Sequence, residues 1–212
     1  MKSQTFRFAS AVAVLCLTLN LCCAVHASAS TTTETLVILR HGEKPPNGLG
    51  QLNCRGLNRA LALPAVLAAK FGRPDYLFAP DPAEKVIDGL FSEYSYVRPL
   101  ASIEPTAIQL GMEVNAQIGY SHIGQLQSEL TSQKYANSLI YVAWEHYYEE
   151  RFAKNVVKAF GGDPAQVPSW SHSEYDMIYV IRLTRSGGRN SVVFTVDHEG
   201  LNDKLSEACP VR

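Results

Sequence analysis

The chain has 212 residues, of which 46% are hydrophobic, and its 19 basic and 20 acidic side chains give a formal net charge of −1 at pH 7. This length and apolar content fit one medium-sized domain and exclude a disordered chain, which would have fewer apolar residues and a larger net charge. The balanced charge also argues against a nucleic-acid-binding protein, which needs basic residues to neutralise phosphates. We therefore expect a small ligand that binds in a pocket.

The first residues have the pattern of a secretory signal peptide. Lys2 and Arg7 precede an apolar stretch over residues 9–25, and small residues follow it. An N-terminal membrane anchor is the alternative, although the apolar stretch is at the lower limit of length for a membrane span. We predict that residues 1–29 are a cleaved signal peptide. Residues 30–212 would then form an exported domain, periplasmic or secreted, without a stable membrane anchor.

Cleavage would leave two cysteines, Cys54 and Cys209. An exported chain meets an oxidising compartment, and two cysteines allow one intramolecular pairing. We predict a Cys54–Cys209 disulfide that ties the C-terminal tail to the first helix. Two free thiols are the alternative.

Short apolar runs alternate with amphipathic segments along the rest of the chain. The runs are typical of buried strands, and the segments have the spacing of helices. We expect Pro64 to kink or split the first helix, and the turn-rich residues 80–89 to form no regular element. The predicted strands are residues 36–39, 76–79, 138–143, 176–183 and 191–196, and the predicted helices are residues 53–70, 96–110 and 145–160.

Strands that alternate with helices predict an α/β fold. We expect a single three-layer α/β/α domain with a mostly parallel central sheet. The last two strands are joined by residues 185–190, which have the composition of a hairpin loop. In such sheets, ligands bind beyond the carboxyl ends of the strands.

Two polar pairs follow predicted strands at that edge. Arg40 and His41 follow the first strand, and Glu145 and His146 follow strand 138–143. Arginine offers a fork of donors suited to phosphate oxygens, and histidine can be a neutral nucleophile near pH 7. The structural alternative is an Arg40 paired with a carboxylate and a His41 that caps its strand.

A third basic centre is Arg98, which opens a predicted helix. A helix N-terminus favours anions, and the guanidinium would add to that preference. Alone, Arg98 would be a solvated surface charge. Together with the two histidines and Arg40, it predicts an anion pocket with a nucleophile inside.

Four segments in this order resemble the histidine phosphatase superfamily, in the branch of cofactor-independent phosphatases related to phosphoglycerate mutase. Arg59 stands where that family usually has Gln, and Ser102 where it usually has Thr. The segments are LVILRHGEK at 36–44, LNCRGLNRALALPAVL at 52–67, SYVRPLASIEPTAIQLG at 95–111 and VAWEHYYEE at 142–150.

The resemblance implies a phosphoglycerate mutase-like fold and a role for each matching residue. His41 would accept the phosphoryl group as a phosphohistidine, which water then hydrolyses. Arg40, Arg98 and His146 would hold the phosphate oxygens. The resemblance implies no metal and no other cofactor, and its substrates are small phosphorylated molecules.

The general acid does not follow from the family pattern. Relatives often have Gly where Glu145 stands, and some have an Asp donor where Tyr147 follows His146. We favour Glu145 as the acid because it neighbours His146. Glu43 is the second candidate, although an ion pair with a basic neighbour is the more ordinary role for it.

The other histidines match no catalytic pattern. We expect His122 in a loop, His172 in Ser-rich surface sequence, and His198 with Glu199 in a solvated turn. None of them belongs to a metal-binding motif, so we propose no metal site.

Three functions remain open. The first is an exported, metal-independent phosphomonoesterase acting on a sugar phosphate or a phosphorylated envelope component. The second is a non-catalytic phosphate- or phosphosugar-binding protein that keeps the pocket. The third is a phosphoglycerate mutase, against which export argues because its substrates are cytosolic. No pattern in the sequence indicates an oligomeric state.

Overall fold

The computed structural model describes residues 30–210, so the predicted signal peptide lies outside the described residues. Within this range no helix is both long and apolar enough to cross a lipid bilayer. The strands are β1 (Thr32–Arg40), β2 (Tyr76–Pro80), β3 (Lys85–Asp88), β4 (Ser92–Ser95), β5 (Asn115–Ile118), β6 (Leu139–Trp144), β7 (Met177–Ser186) and β8 (Arg189–His198). The helices are α1 (Cys54–Phe71), α2 (Arg98–Leu110), α3 (Ile123–Leu130) and α4 (His146–Ala159).

Six of the strands form one sheet in the order β5-β2-β6-β1-β7-β8. β5, β2, β6 and β1 run parallel to one another, whereas β7 is antiparallel to β1 and pairs with β8 as a hairpin. The remaining two strands, β3 and β4, form a separate hairpin. The predictions of a mostly parallel sheet and of a late hairpin are confirmed.

Helices cover both faces of the sheet. Along β1 the side chains alternate: Leu36 and Ile38 belong to the core beneath α3 and α4, and Val37 and Leu39 to the core beneath α1 and α2. All four side chains are fully buried. A continuous apolar run is what a strand covered on both faces requires. The three-layer α/β/α prediction is therefore confirmed.

The first helix is not divided by its proline. α1 continues through Pro64 as one helix, so of the predicted kink or split, the split is wrong. Leu63 and Leu67 of this helix are fully buried against the sheet, and this packing outweighs the hydrogen bond that the proline removes. The helix ends at Gly72, whose φ of 89° is in the region that favours glycine, a common residue after a helix C-terminus.

The short elements were not predicted. Residues 80–89, expected to be turns, contain β3, and β4, β5 and α3 were also missed. β3, β4 and β5 have four residues each, which is too short for a periodic apolar pattern. Tertiary contacts, rather than local pattern, hold them in place.

The predicted disulfide is present. Cys54 and Cys209 are bonded across 155 positions of sequence, with their Cα atoms 4.4 Å apart. The tail before Cys209 lies along α1. Arg55 Nη1 donates to Glu207 Oε1 at 2.6 Å, and Asn58 Nδ2 donates to the carbonyl oxygen of Ala208 at 2.8 Å.

We expect the Cys54→Ser/Cys209→Ser variant to lose about 4–5 kcal/mol of unfolding free energy, because the bridge restricts the unfolded chain over a long loop. Urea denaturation without reductant measures this difference. Dithiothreitol should bring the wild-type protein to the level of the variant and leave the variant unchanged. Equal midpoints for the two oxidised proteins would contradict the prediction.

Candidate active site

The parallel pairing of β1 with β6 brings two of the predicted centres together. Arg40 lies opposite Trp144 in the register, and the backbone N–H of His41 donates to the Trp144 carbonyl at 3.1 Å. Glu145 and His146 follow directly on β6. Both strands end at the same edge of the sheet, as the rule for parallel sheets predicts.

The turn after β1 requires glycine for close packing. A Cβ on Gly42 would lie 2.8 Å from the carbonyl oxygen of Gly56, and one on Gly56 would lie 2.3 Å from that of Glu43. The turn therefore packs directly on the backbone of α1. The N–H of Gly42 also donates to Ser102 Oγ at 2.9 Å, and that hydroxyl donates to the Arg98 carbonyl at 2.9 Å. Two helices thus fix the backbone that carries His41.

The His41 ring is held in one tautomer. Its Nδ1 lies 2.7 Å from the Gly42 carbonyl oxygen, which only accepts, so Nδ1 carries the hydrogen and Nε2 keeps its lone pair. The residue is 2% exposed. Burial, followed by the charges of Arg98 and Arg40, holds the pKa of His41 well below its usual range. His41 is therefore a neutral imidazole with an available nucleophilic nitrogen.

Arg40 is fixed through one side of its guanidinium group. Nη1 donates to the carbonyl oxygens of Ser171, His172 and Glu174 at 3.2, 2.9 and 2.6 Å, and the group lies 3.9 Å from the centroid of the Tyr175 ring. Its buried Nε has no hydrogen-bond partner among residues 30–210. One donor of a rigid, charged fork therefore remains for an anion.

Arg98 is fixed in the same manner by the β3–β4 hairpin. Its Nη1 binds Asp88 Oδ2, which also accepts the Gly50 N–H at 2.9 Å, and Lys44 Nζ lies 3.3 Å from Oδ1. Burial alone would raise the pKa of Asp88, but these partners hold it below its usual range. The Nε of Arg98 is buried and, within the described part of the chain, unpartnered.

Glu145 contacts His146, which in turn contacts His172. Glu145 caps α4: its Oε2 accepts the N–H groups of Tyr147 and Tyr148 at 3.0 and 3.2 Å. Its Oε1 lies 2.5 Å from Nδ1 of His146, and Nε2 of His146 lies 2.9 Å from Nδ1 of His172. Burial raises the pKa of Glu145, but His146 and the backbone donors outweigh it and lower the pKa. Glu145 is thus a carboxylate that orients His146.

Glu43, two residues after His41, belongs to an ion-pair network. Its Oε1 lies 3.0 Å from Arg55 Nε and 2.7 Å from Nη2 of the fully buried Arg59. Burial alone would raise the pKa of Glu43, but the two arginines lower it. Arg59 also binds Glu199 and lies 3.5 Å from Asp176. Arg59, at the position where the family has Gln, therefore anchors α1 to the chain that follows β8.

The prediction of a solvated turn at residues 198–199 is wrong for Glu199. His198 is exposed, but Glu199 is 4% exposed and burial raises its pKa to about 8. The charge of Arg59 compensates for burying it. Residues 30–210 hold no group of three or more His, Cys, Asp and Glu side chains arranged to bind a metal.

The structure thus brings together five of the predicted site residues: Arg40, His41, Arg98, Glu145 and His146. It adds three that the sequence did not indicate. His172, expected at the surface, is exposed but contacts His146; Tyr175 lies against Arg40, and Asp88 holds Arg98. No local pattern marks these three, because each reaches the site through tertiary contacts.

Replacing Asp88 with Ala should lower the unfolding free energy by about 3 kcal/mol, since it leaves the guanidinium of Arg98 buried without its carboxylate. Glu93→Ala is the matched control, because Glu93 is an exposed carboxylate on the same hairpin and should change stability by less than about 0.5 kcal/mol. Urea denaturation compares the two variants. Equal losses would show that the Asp88–Arg98 pair is not what holds the hairpin.

No protein-family model matches the sequence, and no curated protein matches it. The fold does match solved structures. A protein of Nakamurella multipartitia assigned as a phosphohistidine phosphatase SixA is 13% identical with a TM-score of 0.54, over 81% of this chain and 98% of that one.

Two further structures are similar over comparable lengths. A protein of Agrobacterium tumefaciens assigned as a phosphohistidine phosphatase SixA is 14% identical, over 76% of this chain and 97% of that one, with a TM-score of 0.46. A mycobacterial glucosyl-3-phosphoglycerate phosphatase in complex with inorganic phosphate is 13% identical, over 77% of this chain and 95% of that one, with a TM-score of 0.45.

The match to the Nakamurella structure covers nearly all of that protein. The chain therefore has the phosphoglycerate mutase-like fold that the four sequence segments predicted.

Proposed function

We propose that the protein is an exported, metal-independent phosphomonoesterase that transfers the phosphoryl group of its substrate to His41. One observation carries this proposal. A neutral, buried imidazole with a free Nε2 lies under the influence of two buried guanidinium groups, each of which keeps an unpartnered Nε donor in the described part of the chain. A nucleophile and preorganised cations are what phosphoryl transfer requires.

The charges of the site suit the transition state. The three equatorial oxygens of the transferred group carry its negative charge, and the Nε groups of Arg40 and Arg98 are the donors available to them. His146, expected from the family resemblance to hold phosphate, already contacts Glu145 and His172 through its two ring nitrogens. The guanidinium groups are already oriented by carbonyl and carboxylate partners, so they do not need to reorganise during the reaction. They would supply the positive charge that Mg²⁺ supplies in other phosphoryl-transfer enzymes.

The reaction has two displacements. Nε2 of His41 forms a bond to phosphorus as the ester P–O bond breaks, and the leaving oxygen takes the electron pair. Water then attacks phosphorus, and the N–P bond breaks to return its electron pair to His41. The assignment of the Nakamurella protein as a phosphohistidine phosphatase agrees with this reaction class.

The substrate we propose is a small phosphomonoester, either a sugar phosphate or a phosphorylated envelope component. Aromatic rings extend from the site: Tyr96 lies 6.1 Å from His41, Tyr120 lies 4.8 Å from Tyr96, and Tyr148 lies 5.5 Å from Tyr120. Tyr96 is fully buried, and the partly exposed rings of Tyr120 and Tyr148 would provide apolar faces for a sugar ring. Export is inferred from the signal-peptide pattern of residues 1–29, and the disulfide agrees with it.

A phosphate-binding protein without turnover is the second candidate. The observation in its favour is that Glu145, the acid suggested by the sequence, is held as a carboxylate by His146 and two backbone N–H groups. A carboxylate cannot protonate a leaving group. This candidate predicts phosphate binding with no hydrolysis at any pH.

Hydrolysis of p-nitrophenyl phosphate in excess EDTA tests the proposed function. We expect turnover in the wild-type protein and none in His41→Ala. Rapid quenching with ³²P-labelled substrate should trap an acid-labile phosphohistidine in the wild-type protein only. His198→Ala, which changes an exposed histidine, is the matched control and should retain full activity.

Activity that persists in His41→Ala would overturn the proposal. The absence of turnover, together with a thermal midpoint that rises with inorganic phosphate, would establish the binding protein instead.

The pH dependence of kcat/KM provides an independent check, because it reports groups of the free enzyme. The depressed pKa of His41 should keep kcat/KM high below pH 6.5, since the imidazole stays neutral there. Arg98→Gln removes a cation that lowers this pKa, so the acid limb should move to higher pH while kcat/KM falls about 10²–10³-fold. Arg73→Gln, at an exposed arginine that binds the Leu110 carbonyl, should change neither. An acid limb that stays in place in Arg98→Gln would contradict the assignment of His41.

A further inference from the structure

The transfer of a phosphoryl group to His41 needs a proton for the leaving oxygen. When the ester bond breaks, an alcohol leaves as an alkoxide unless a nearby acid protonates it. Of the carboxyl groups around the site, Asp88 is ion-paired with Arg98, which leaves Glu43, Glu145 and Glu149 as candidate acids. Their contacts and burial differ.

Glu43 and Glu145 are held in their ionised forms. Glu43 binds the guanidinium groups of Arg55 and Arg59, and Glu145 binds His146 and two backbone N–H groups, so the pKa of each is lowered. Neither has a proton to give at neutral pH. Their contacts anchor α1 and orient His146.

Glu149 has a raised pKa but lies out of reach. Burial raises its pKa well above the usual range, and its Oε1 accepts the N–H of Trp144 at 3.0 Å. The residue is 1% exposed. A leaving alcohol departs toward solvent, so a carboxyl group enclosed by the protein does not meet it.

His172 places an exposed imidazole ring beside the site. Its ring is exposed, lies 4.6 Å from the His146 ring, and its Nδ1 is 2.9 Å from His146 Nε2. Its carbonyl oxygen accepts from Arg40 Nη1 at 2.9 Å, so the segment that carries it is bound to the site at two points.

The orientation of the substrate follows from burial. Arg40, His41 and Arg98 are each 2% exposed, so the phosphate end must enter among them and the alcohol end must point outward. The outward side is where His172 lies. An imidazole can both give and take a proton near neutral pH, as a reaction with two displacements requires.

We propose that His172 is the proton donor and acceptor of the reaction, which rests on the proposed function of His41. In the first displacement, His41 Nε2 bonds to phosphorus, the P–O bond breaks, and the leaving oxygen takes its proton from the His172 imidazolium. In the second, His172 takes a proton from the attacking water as the N–P bond breaks. His146, held by Glu145, positions the His172 ring throughout.

The dependence of the rate on the leaving group tests this assignment. In His172→Ala we expect kcat/KM for glycerol phosphate, whose alkoxide needs a proton, to fall about 10²–10⁴-fold. With p-nitrophenyl phosphate, whose phenolate leaves unaided, the loss should stay below about threefold, since no protonation is needed. Phenyl phosphate should lie between them. A plot of log kcat/KM against the pKa of the leaving alcohol or phenol should therefore be steeper for His172→Ala than for the wild-type protein.

Two further variants serve as controls. One tests whether losing any exposed histidine has the same effect, and the other tests whether Glu149 is the proton donor. His198→Ala, a change of another exposed histidine, should leave the whole plot unchanged. Glu149→Gln should leave its slope unchanged; a steeper slope in Glu149→Gln and not in His172→Ala would assign the donor to Glu149 and overturn the proposal.

Two more outcomes would also overturn it. An equal loss on all three substrates would mean that His172 only positions Arg40 or His146, and no loss on any would mean that it has no role. These outcomes differ from failure of the proposed function, in which the wild-type protein would not hydrolyse p-nitrophenyl phosphate or His41→Ala would remain active.

Discussion

The parallel register of β1 on β6 is the constraint on which the site depends. The Trp144 carbonyl accepts the N–H of His41, so the chain turns away from both strands at the same level. A shift of one residue would turn every side chain of β1 to the opposite face of the sheet, so that Leu36 and Ile38 would enter the core that now holds Val37 and Leu39. The apolar packing that stabilises the fold therefore also fixes the nucleophile beside the second histidine.

The site concentrates positive charge in a buried region, and each guanidinium group is held through one of its terminal nitrogens. Arg40 uses carbonyl oxygens of the segment before β7, and Arg98 uses Asp88 of the β3–β4 hairpin. Isolated buried charges are costly, so these partners are needed before any phosphate arrives. The same contacts aim the remaining donors. Stability and preorganisation thus come from one set of hydrogen bonds rather than from two.

Sequence reasoning recovered the parts of the site that lie at the ends of long, apolar strands. Arg40, His41 and His146 follow from the positions of two buried runs and one rule about parallel sheets. Asp88 could not be found in this manner, because it belongs to a four-residue strand whose other side chains are mostly exposed. His172 lies in an irregular segment, and only the folded chain brings it to His146. Local pattern locates strand ends, whereas partners contributed by short elements depend on tertiary packing.

The covalent bridge has a mechanical consequence. Because Cys54 is bonded to Cys209, a tension applied between the two ends of the domain bypasses every element from α1 to β8. The tension acts only on the residues before Cys54, and β1 is the regular element among them. β1 pairs along its length with β6 and β7, so it would resist by shear across two ladders of hydrogen bonds at once. Pulling would extract Arg40 and His41 from their pocket while the remaining sheet stays enclosed by the bridge.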